Sequence, residues 1–327
     1  MRLGSDRARL QLNQILTKVK ESFRSRLAYT QRVQAANLAS NRYSALSAVY
    51  SSATYRDLAS ESPSLALSRL ARAASEWDAG EEKTLGDFLN FGLSILSKHY
   101  RNEYVFKNNI ISKLVWGRHK PTTSSALLEF ASGDSFADVL ILNGSSTVYE
   151  IKTDLDSFHR LSSQVQDYKS RFEYVYLVVS SRKALIASEH LPDGAGLIAM
   201  HSSGRLQVMI PAPSNKFRLD AGHMFRSLRQ GDIEFILSKC GILPVSSDPV
   251  EQWHARKIAF EALNPLEVHE HMVTLLRHRG QSAGSLATRS GFPRAALALA
   301  YGSRLSGSAQ VRLLQRLALP LPLVLGS

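Results

Sequence analysis

Residues 138–152 read DVLILNGSSTVYEIK and place two apolar runs on either side of an Asn-Gly pair. Apolar runs around Asn-Gly predict two β-strands joined by a turn. Three ionisable residues, Asp138, Glu150 and Lys152, lie within these runs. Burying an unpaired carboxylate costs several kcal/mol, a large share of a domain's stability, unless a metal ion or a partner compensates it. The hairpin therefore suggests a metal site.

Strand geometry restricts how this hairpin can close. Side chains alternate faces along a strand, so Glu150 and Lys152 point the same way. Asp138 shares their face only if the connection has an odd number of residues, because directly opposed residues share a face. We therefore predict a three- or five-residue connection over residues 143–146, or a bulge in one strand, with Gly144 at positive φ.

Phosphodiester hydrolysis is the chemistry that uses such a set of groups. The Asp138 and Glu150 carboxylates could hold Mg²⁺, with Mn²⁺ as a substitute, and the Ile151 carbonyl could add a ligand. Lys152 could orient a water or stabilise charge in the transition state. The alternative is a solvated ion pair of Glu150 with Lys152 beside an unrelated Asp138, because structural charge networks also contain such residues.

Asp138 followed at a distance by Glu150-Ile151-Lys152 resembles the PD-(D/E)XK nuclease superfamily, whose metal site is an Asp and a Glu-X-Lys on a β-hairpin. Ala137 stands where the superfamily's name has Pro. The resemblance implies a restriction-endonuclease-like α/β core with a central mixed sheet flanked by helices. It also implies Mg²⁺-dependent cleavage of nucleic acid.

Further residues match features of the same superfamily. Gln164 and Tyr168, on the predicted helix SFHRLSSQVQDYKSRF, form a Gln-X-X-X-Tyr pair like that of the RecB-like branch. Their spacing places both on one helical face, where they could reach substrate or brace the lysine, although an ordinary amphipathic helix has the same spacing. Glu103, near the start of an earlier predicted helix, resembles the superfamily's additional glutamate. It could instead complement the helix dipole, and Glu129 is a rival for its place.

The order of predicted elements supports the resemblance over about residues 100–210. A helix, strands with Asp138 and Glu150, a second helix and the buried-type strand YVYLVVS follow one another. The segment beginning FADVLILNGSSTVYEIK resembles more closely an uncharacterised bacterial family within the superfamily. We predict a helical region over 1–84, a nuclease-like core over 85–214 and a helical region over 215–327.

The charge of the chain is distributed unevenly. The net charge of the 327 residues is +12. Lys and Arg number 15 against 9 Asp and Glu in residues 1–102, 13 against 12 in 103–220, and 12 against 7 in 221–327. A nearly neutral core with basic flanks suits a polyanionic substrate, although general solubility also accounts for the basic residues. We therefore expect nucleic acid as the partner, DNA in preference to RNA, and leave the oligomeric state open.

Several sequence features argue against other classes of protein. Cys240 is the single cysteine, which excludes an internal disulfide; its position suggests a helix end, and we expect a small buried residue there. The amino-terminal residues stay polar and no apolar run approaches membrane-spanning length, which favours a cytoplasmic enzyme without a membrane partner. His269 and His271 lie two apart, so a metal shared between them is not expected.

The sequence as a whole predicts a metal-dependent phosphodiesterase, specifically a DNA endonuclease. Defence against foreign DNA and mobile-element biology would both use such a site. The alternative is a non-catalytic protein that retains the nuclease fold and binds nucleic acid or a protein partner. The segment SLATRSGFPRAALALAYGSRL resembles a helix-turn-helix in outline, with a simple packing pair as the competing interpretation.

Overall fold

A six-stranded mixed sheet lies at the centre of the computed structural model, which describes residues 41–77, 83–242 and 249–326. The strands neighbour one another in chain order. β1 to β3 are antiparallel, β3 to β5 are parallel, and β6 is antiparallel to β5. Their bounds are β1 Ser125–Ser132, β2 Ser135–Leu142, β3 Ser146–Lys152, β4 Tyr174–Ser180, β5 Gly196–Met200 and β6 Leu206–Ile210.

Helices cover both faces of this sheet, and the predicted α/β class is confirmed. The first is α1 over residues 41–49. The others are α2 Ser52–Leu58, α3 Leu65–Glu76, α4 Leu85–His99, α5 Glu103–Ile110, α6 Leu161–Lys169, α7 Ala184–Glu189, α8 Ala221–Ser227, α9 Gln230–Lys239, α10 Pro249–Glu261, α11 Pro265–Gly284, α12 Leu297–Gly302, α13 Gly307–Ala318 and α14 Leu321–Leu325. A π-helix, Ile111–Arg118, continues α5, and short 3₁₀ turns lie at Lys216–Arg218, Ser285–Thr288 and Arg294–Ala296.

A three-residue connection joins β2, which ends at Leu142, to β3, which begins at Ser146. Leu142 pairs with Ser146, and the paired register runs from there to Val139 and Tyr149, one residue short of Asp138 and Glu150. Gly144 in the connection has φ +97°, a conformation that glycine adopts without steric cost. The predicted odd connection with positive φ at Gly144 is confirmed.

The edge strand β1 contains an irregularity at Glu129. This residue has φ +50°, which is uncommon for a residue other than glycine and costs about 1–3 kcal/mol. Leu128 and Phe130, two residues apart, consequently pack on opposite faces of the sheet. Ala137 and Val139 of the adjacent strand are divided between the two faces in the same way. The alternation of side-chain faces is therefore broken at Glu129 in β1 and at Asp138 in β2, which lie between the pairs Leu128–Val139 and Phe130–Ala137.

Two apolar clusters, one on each face of the sheet, hold the helices in place. The first unites Leu46 of α1 and Phe88 of α4 with Ile141 of β2. The second joins Leu177 of β4 to Phe260 of α10. The first cluster also includes α13 and α14, so it draws on all three of the regions predicted from the sequence. Among the described residues, no helix combines the length and apolar composition needed to cross a membrane.

Two sequence predictions about the carboxyl-terminal half need correction. The helix-turn-helix interpretation is wrong, because the side chains of residues 297–301 in α12 are all buried and none can enter a DNA groove. The packing interpretation describes this segment. Cys240 follows the end of α9 as predicted, but its side chain is partly exposed, with Sγ 3.7 Å from Glu267 Oε1.

Candidate metal centre

Asp138 lies where β2 and β3 separate. The paired register of the two strands stops at Val139 and Tyr149, one residue short of Asp138. The Asp138 carboxylate takes the place of the next backbone partner, because its Oδ2 accepts a hydrogen bond of 2.6 Å from the Ile151 N–H. The N–H and carbonyl of one strand residue point to the same neighbouring strand, so the Ile151 carbonyl also faces this gap.

Glu150 is buried and tied by both of its carboxylate oxygens. Oε1 accepts a hydrogen bond of 2.8 Å from Lys152 Nζ, which also donates to Gln164 Oε1 at 2.9 Å. The Tyr168 hydroxyl lies 2.8 Å from Glu150 Oε2 and 2.9 Å from the Phe136 carbonyl oxygen. Gln164 and Tyr168 lie one helical turn apart on α6. Gln164 therefore holds Lys152 in place, and Tyr168 holds Glu150.

A second carboxylate group meets Asp138 from the other side. Glu103, the first residue of α5, and Glu129 of the edge strand each contact the ammonium group of Lys107. Ligand oxygens of Glu103, Glu129 and Asp138 lie within 4.8 Å of one another. Asn102 caps α5 and positions Glu103 in its first turn, where a carboxylate also complements the helix dipole. Both expected roles of Glu103 are compatible with this position.

Burial and neighbouring charges shift the pKa values of three groups in this site, Asp138, Lys107 and Tyr168. Burial, and then the adjacent Glu150 carboxylate, raise the pKa of Asp138 to about 8. Burial alone would lower the pKa of Lys107, but Glu103 and Glu129 outweigh it and the pKa is raised. Burial and the Glu150 carboxylate raise the pKa of Tyr168 well above its usual range, so its hydroxyl stays protonated.

The side chains fit a hard divalent cation. Three carboxylates and a backbone carbonyl around one gap supply the oxygen ligands that Mg²⁺ prefers. A partly buried acid with a pKa of about 8 gains most from a cation, since the cation compensates the cost of ionising it. Glu103, Glu129 and Asp138 are the group within ligand distance of one another. Both carboxylate oxygens of Glu150 already accept hydrogen bonds, from Lys152 and Tyr168. Glu150 would have to give up one of these bonds to coordinate the same cation.

A cleft along the outer edge of β1 was not anticipated from the sequence. Its walls include Glu129 and four arginines, Arg226, Arg229, Arg279 and Arg304. The arginines come from three separate segments, so no local motif marks them. The excess of basic residues over 221–327 is the signal that could have drawn attention to this region.

A further set of potential ligands lies away from the sheet edge. Cys240, Glu267 and His271 offer ligand atoms within 4.8 Å of one another. Glu267 and His271 are one turn apart on α11, while His269 is buried and its Nε2 lies 2.7 Å from Ser146 Oγ. The two histidines therefore point to different surroundings, as predicted.

Comparison with known proteins relates the chain to a bacteriophage protein family and to a curated member of it. The family described as “Bacteriophage P4 protein cII” matches residues 97–292, which include every residue of the candidate metal centre. “Protein cII” of Enterobacteria phage P4 is 36% identical over 67 residues, 20% of this chain and 25% of that protein. The chain therefore spans about a quarter of that relative's length in the match. No solved structure matches the chain.

Proposed function

The chain belongs to the bacteriophage P4 protein cII family, and from the acidic centre that it carries within the matched residues we propose that it is a divalent-metal-dependent DNA endonuclease. The observation that carries this proposal is the position of Asp138. Its carboxyl group lies at a strand gap, where it accepts a hydrogen bond from the Ile151 N–H, interacts electrostatically with Glu150 and lies within ligand distance of Glu103 and Glu129.

The arrangement of elements supports a PD-(D/E)XK nuclease-like core. Glu103 begins a helix, the antiparallel strands carry Asp138 and the Glu-X-Lys trio, α6 follows with Gln164 and Tyr168, and β4 is parallel to β3. This order and these strand directions agree with the core that the sequence resemblance implies. Roles in defence against foreign DNA or in mobile-element biology belong to the same proposal.

Each side chain has a defined task in the proposed reaction. Asp138, Glu150 and the Ile151 carbonyl would hold Mg²⁺, and the chemistry supplied by the bound ion would be charge neutralisation at the phosphate and a more acidic water. Lys152 orients that water or stabilises negative charge as the phosphodiester opens. Gln164 fixes the Lys152 ammonium through its amide oxygen.

Tyr168 and Glu103 support these groups from two sides. The protonated Tyr168 hydroxyl holds Glu150 in place through its 2.8 Å contact with Oε2. Glu103, with Glu129 as its neighbour, adds negative charge to the open side of the site. Tyr168 therefore acts as a positioning residue, and Glu103 acts as an additional cation ligand.

The test is cleavage of plasmid, linear duplex, single-stranded DNA and RNA with Mg²⁺, Mn²⁺ or EDTA. We expect metal-dependent nicking of plasmid by the wild type, and a loss of about 100-fold or more in Asp138→Asn and Lys152→Ala. Asp134→Asn is the matched control, because Asp134 is an exposed carboxylate four residues from Asp138. Cleavage by Asp138→Asn or Lys152→Ala at the wild-type rate would refute the assignment.

Lys107 favours a second candidate function. Its ammonium group contacts Glu103 and Glu129, so the protein itself supplies a cation to this acidic group. We propose as the alternative a non-catalytic protein that retains the nuclease-like core and binds nucleic acid or a protein partner. Nucleic-acid binding that is unchanged by EDTA, with no products on any of the four substrates, would favour this alternative over the nuclease.

A further inference from the structure

The cleft beside the acidic centre is bounded by the outer edge of β1 on one side. Its volume is about 440 Å³. The opposite wall is formed by the end of α8 and its connection to α9, by α11, and by the end of α12 with Arg304 beyond it. Glu129 is part of the β1 wall, so the cleft leads directly to the carboxylates of the candidate metal centre.

Four arginines make this cleft strongly basic. Arg226, Arg229 and Arg304 are exposed. Within the described part of the chain, none of these three forms an ion pair, whereas Arg279 pairs with Asp232. Burial lowers the pKa of Arg304, and Arg229 and Arg279 lower it further. The fold thus gathers like charges in one place and leaves most of them available to an external anion.

Arginine is suited to one class of anion in particular. Its planar guanidinium donates paired hydrogen bonds to phosphate oxygens, and it retains its charge under all ordinary conditions. Cations from three separate segments of the chain offer several contacts along the cleft rather than one. This pattern fits a repeating phosphate backbone better than a single small anion.

We propose that the arginine cleft binds the phosphate backbone of the nucleic-acid strand that enters the acidic centre. The identification of that strand as the substrate rests on the proposed function. Binding of a strand by the cleft does not depend on the proposed cleavage activity, because arginine binds phosphate whether or not the phosphodiester bond is cut. Phosphate contacts position a strand without reading its sequence, so the cleft would set the path of the substrate rather than its cut site.

Salt-dependent binding tests this proposal. The probes are labelled single-stranded and duplex oligonucleotides. Binding is followed by fluorescence anisotropy in EDTA, with protein carrying Asp138→Asn so that one of the proposed metal ligands is also removed. Arg226→Gln combined with Arg304→Gln removes two exposed charges from the cleft. We expect affinity to fall at least about tenfold, and the slope of log K against log salt to decrease by about 1.4 for single strands and about 1.8 for duplex.

A matched control removes the same charge elsewhere. Lys98 and Lys113 are exposed and line a different basic cleft, so Lys98→Gln combined with Lys113→Gln is its counterpart. An unchanged slope in the arginine variant, an equal loss in the lysine variant, or no binding at any salt concentration would overturn the proposal. A reduced slope in the arginine variant alone, in a protein whose wild type cleaves nothing, would support the cleft and reject the nuclease.

Discussion

Two opposing effects determine whether the Asp138 carboxyl group is ionised or protonated. The hydrogen bond from the Ile151 N–H favours its ionised form, whereas burial and the neighbouring Glu150 favour its protonated form. The second influence is larger, since the pKa is raised to about 8. The carboxyl group that would have to ionise in order to hold a cation is therefore the one whose ionisation is opposed by burial and by Glu150.

The pH dependence of stability follows from this raised pKa. An acid whose folded-state pKa exceeds its ordinary value of 3.8 contributes stability that is complete below that value and is lost as pH rises towards about 8. Asparagine does not titrate and can still accept the Ile151 hydrogen bond. We expect Asp138→Asn in EDTA to gain free energy of unfolding relative to wild type steadily between those pH values, measured by urea denaturation.

Asp134→Asn again provides the control. Asp134 is exposed and lies outside the acidic centre, so its replacement controls for the loss of one carboxylate elsewhere on the protein. A constant difference between Asp138→Asn and wild type across the same range would contradict the raised pKa.

Lys107 allows a separate test of the acidic group. Lys107→Met keeps a long apolar side chain but removes the ammonium group that contacts Glu103 and Glu129. The two carboxylates then depend on an external cation, and a ligand that binds the folded state raises its stability. We expect Mg²⁺ to raise the unfolding midpoint more in Lys107→Met than in wild type, measured by thermal denaturation at low ionic strength.

Lys113→Met is the matched variant for this measurement, because Lys113 is exposed on the π-helix that continues α5. Its response to Mg²⁺ should equal that of wild type. A smaller response in Lys107→Met than in wild type would show that no cation occupies the place of the ammonium group.

Sequence reasoning reached some of these residues and not others for physical reasons. The odd length of the connection between β2 and β3 could be predicted from the parity of strand pairing, which depends on sequence alone. The left-handed conformation of Glu129 could not be predicted, because that residue ordinarily avoids positive φ and only the packing of two neighbouring strands imposes it. The arginine cleft could not be predicted, because its residues lie in separate segments of the sequence and come together only in the folded protein.

At the scale of elements, α11 approaches β1 unusually closely through a glycine. A Cβ atom added at Gly280 would lie 2.6 Å from Ser125 Oγ and 2.8 Å from the Ala126 carbonyl oxygen. Ser125 and Ala126 belong to the edge strand that also carries Glu129. The distance between helix and strand therefore helps to set the position of one wall of the acidic centre.

We expect Gly280→Ala to lower the free energy of unfolding by about 1–3 kcal/mol, because the strand backbone cannot yield to the added methyl group. Gly231 in α9 is the contrasting site, since a Cβ there meets nothing within 4 Å. Gly231→Ala should raise stability by about 0.4–1 kcal/mol through the loss of unfolded-state entropy. Equal effects at the two sites, measured by urea denaturation, would show that helix and strand are not in close contact.

Elements of regular pattern were predictable, and those shaped by tertiary packing were not. The strands, α5 and α6 follow from apolar periodicity and turn residues. The π-helix Ile111–Arg118 gives no periodic signal that separates it from an α-helix. The segment around α12 has the outline of a DNA-binding motif, yet its small apolar residues place it between other helices and the sheet.

At the scale of the molecule, the central sheet depends on elements far from it in the chain. Leu313 and Leu317 of α13 belong to the first apolar cluster, and the Leu85 N–H donates a 2.9 Å hydrogen bond to the Leu319 carbonyl. On the other face, α8 to α11 supply much of the second cluster. Residues 85–214 therefore lack a complete cover for either face of the sheet.

We expect a fragment of residues 85–214 not to fold cooperatively, because it would expose both sheet faces to water. Circular dichroism during urea denaturation would show a broad change without a sigmoidal transition, in contrast with the full chain. A sharp transition in the fragment would establish the predicted core as an independent domain.

The three-residue connection between β2 and β3 also limits how this hairpin can change during evolution. An insertion or deletion of one residue there would turn Asp138 away from Glu150, unless a bulge restored the parity. Two residues can be gained or lost without this penalty. Among descendants of a common ancestor that keep the site, the number of residues between the aspartate and the glutamate should therefore vary in even steps.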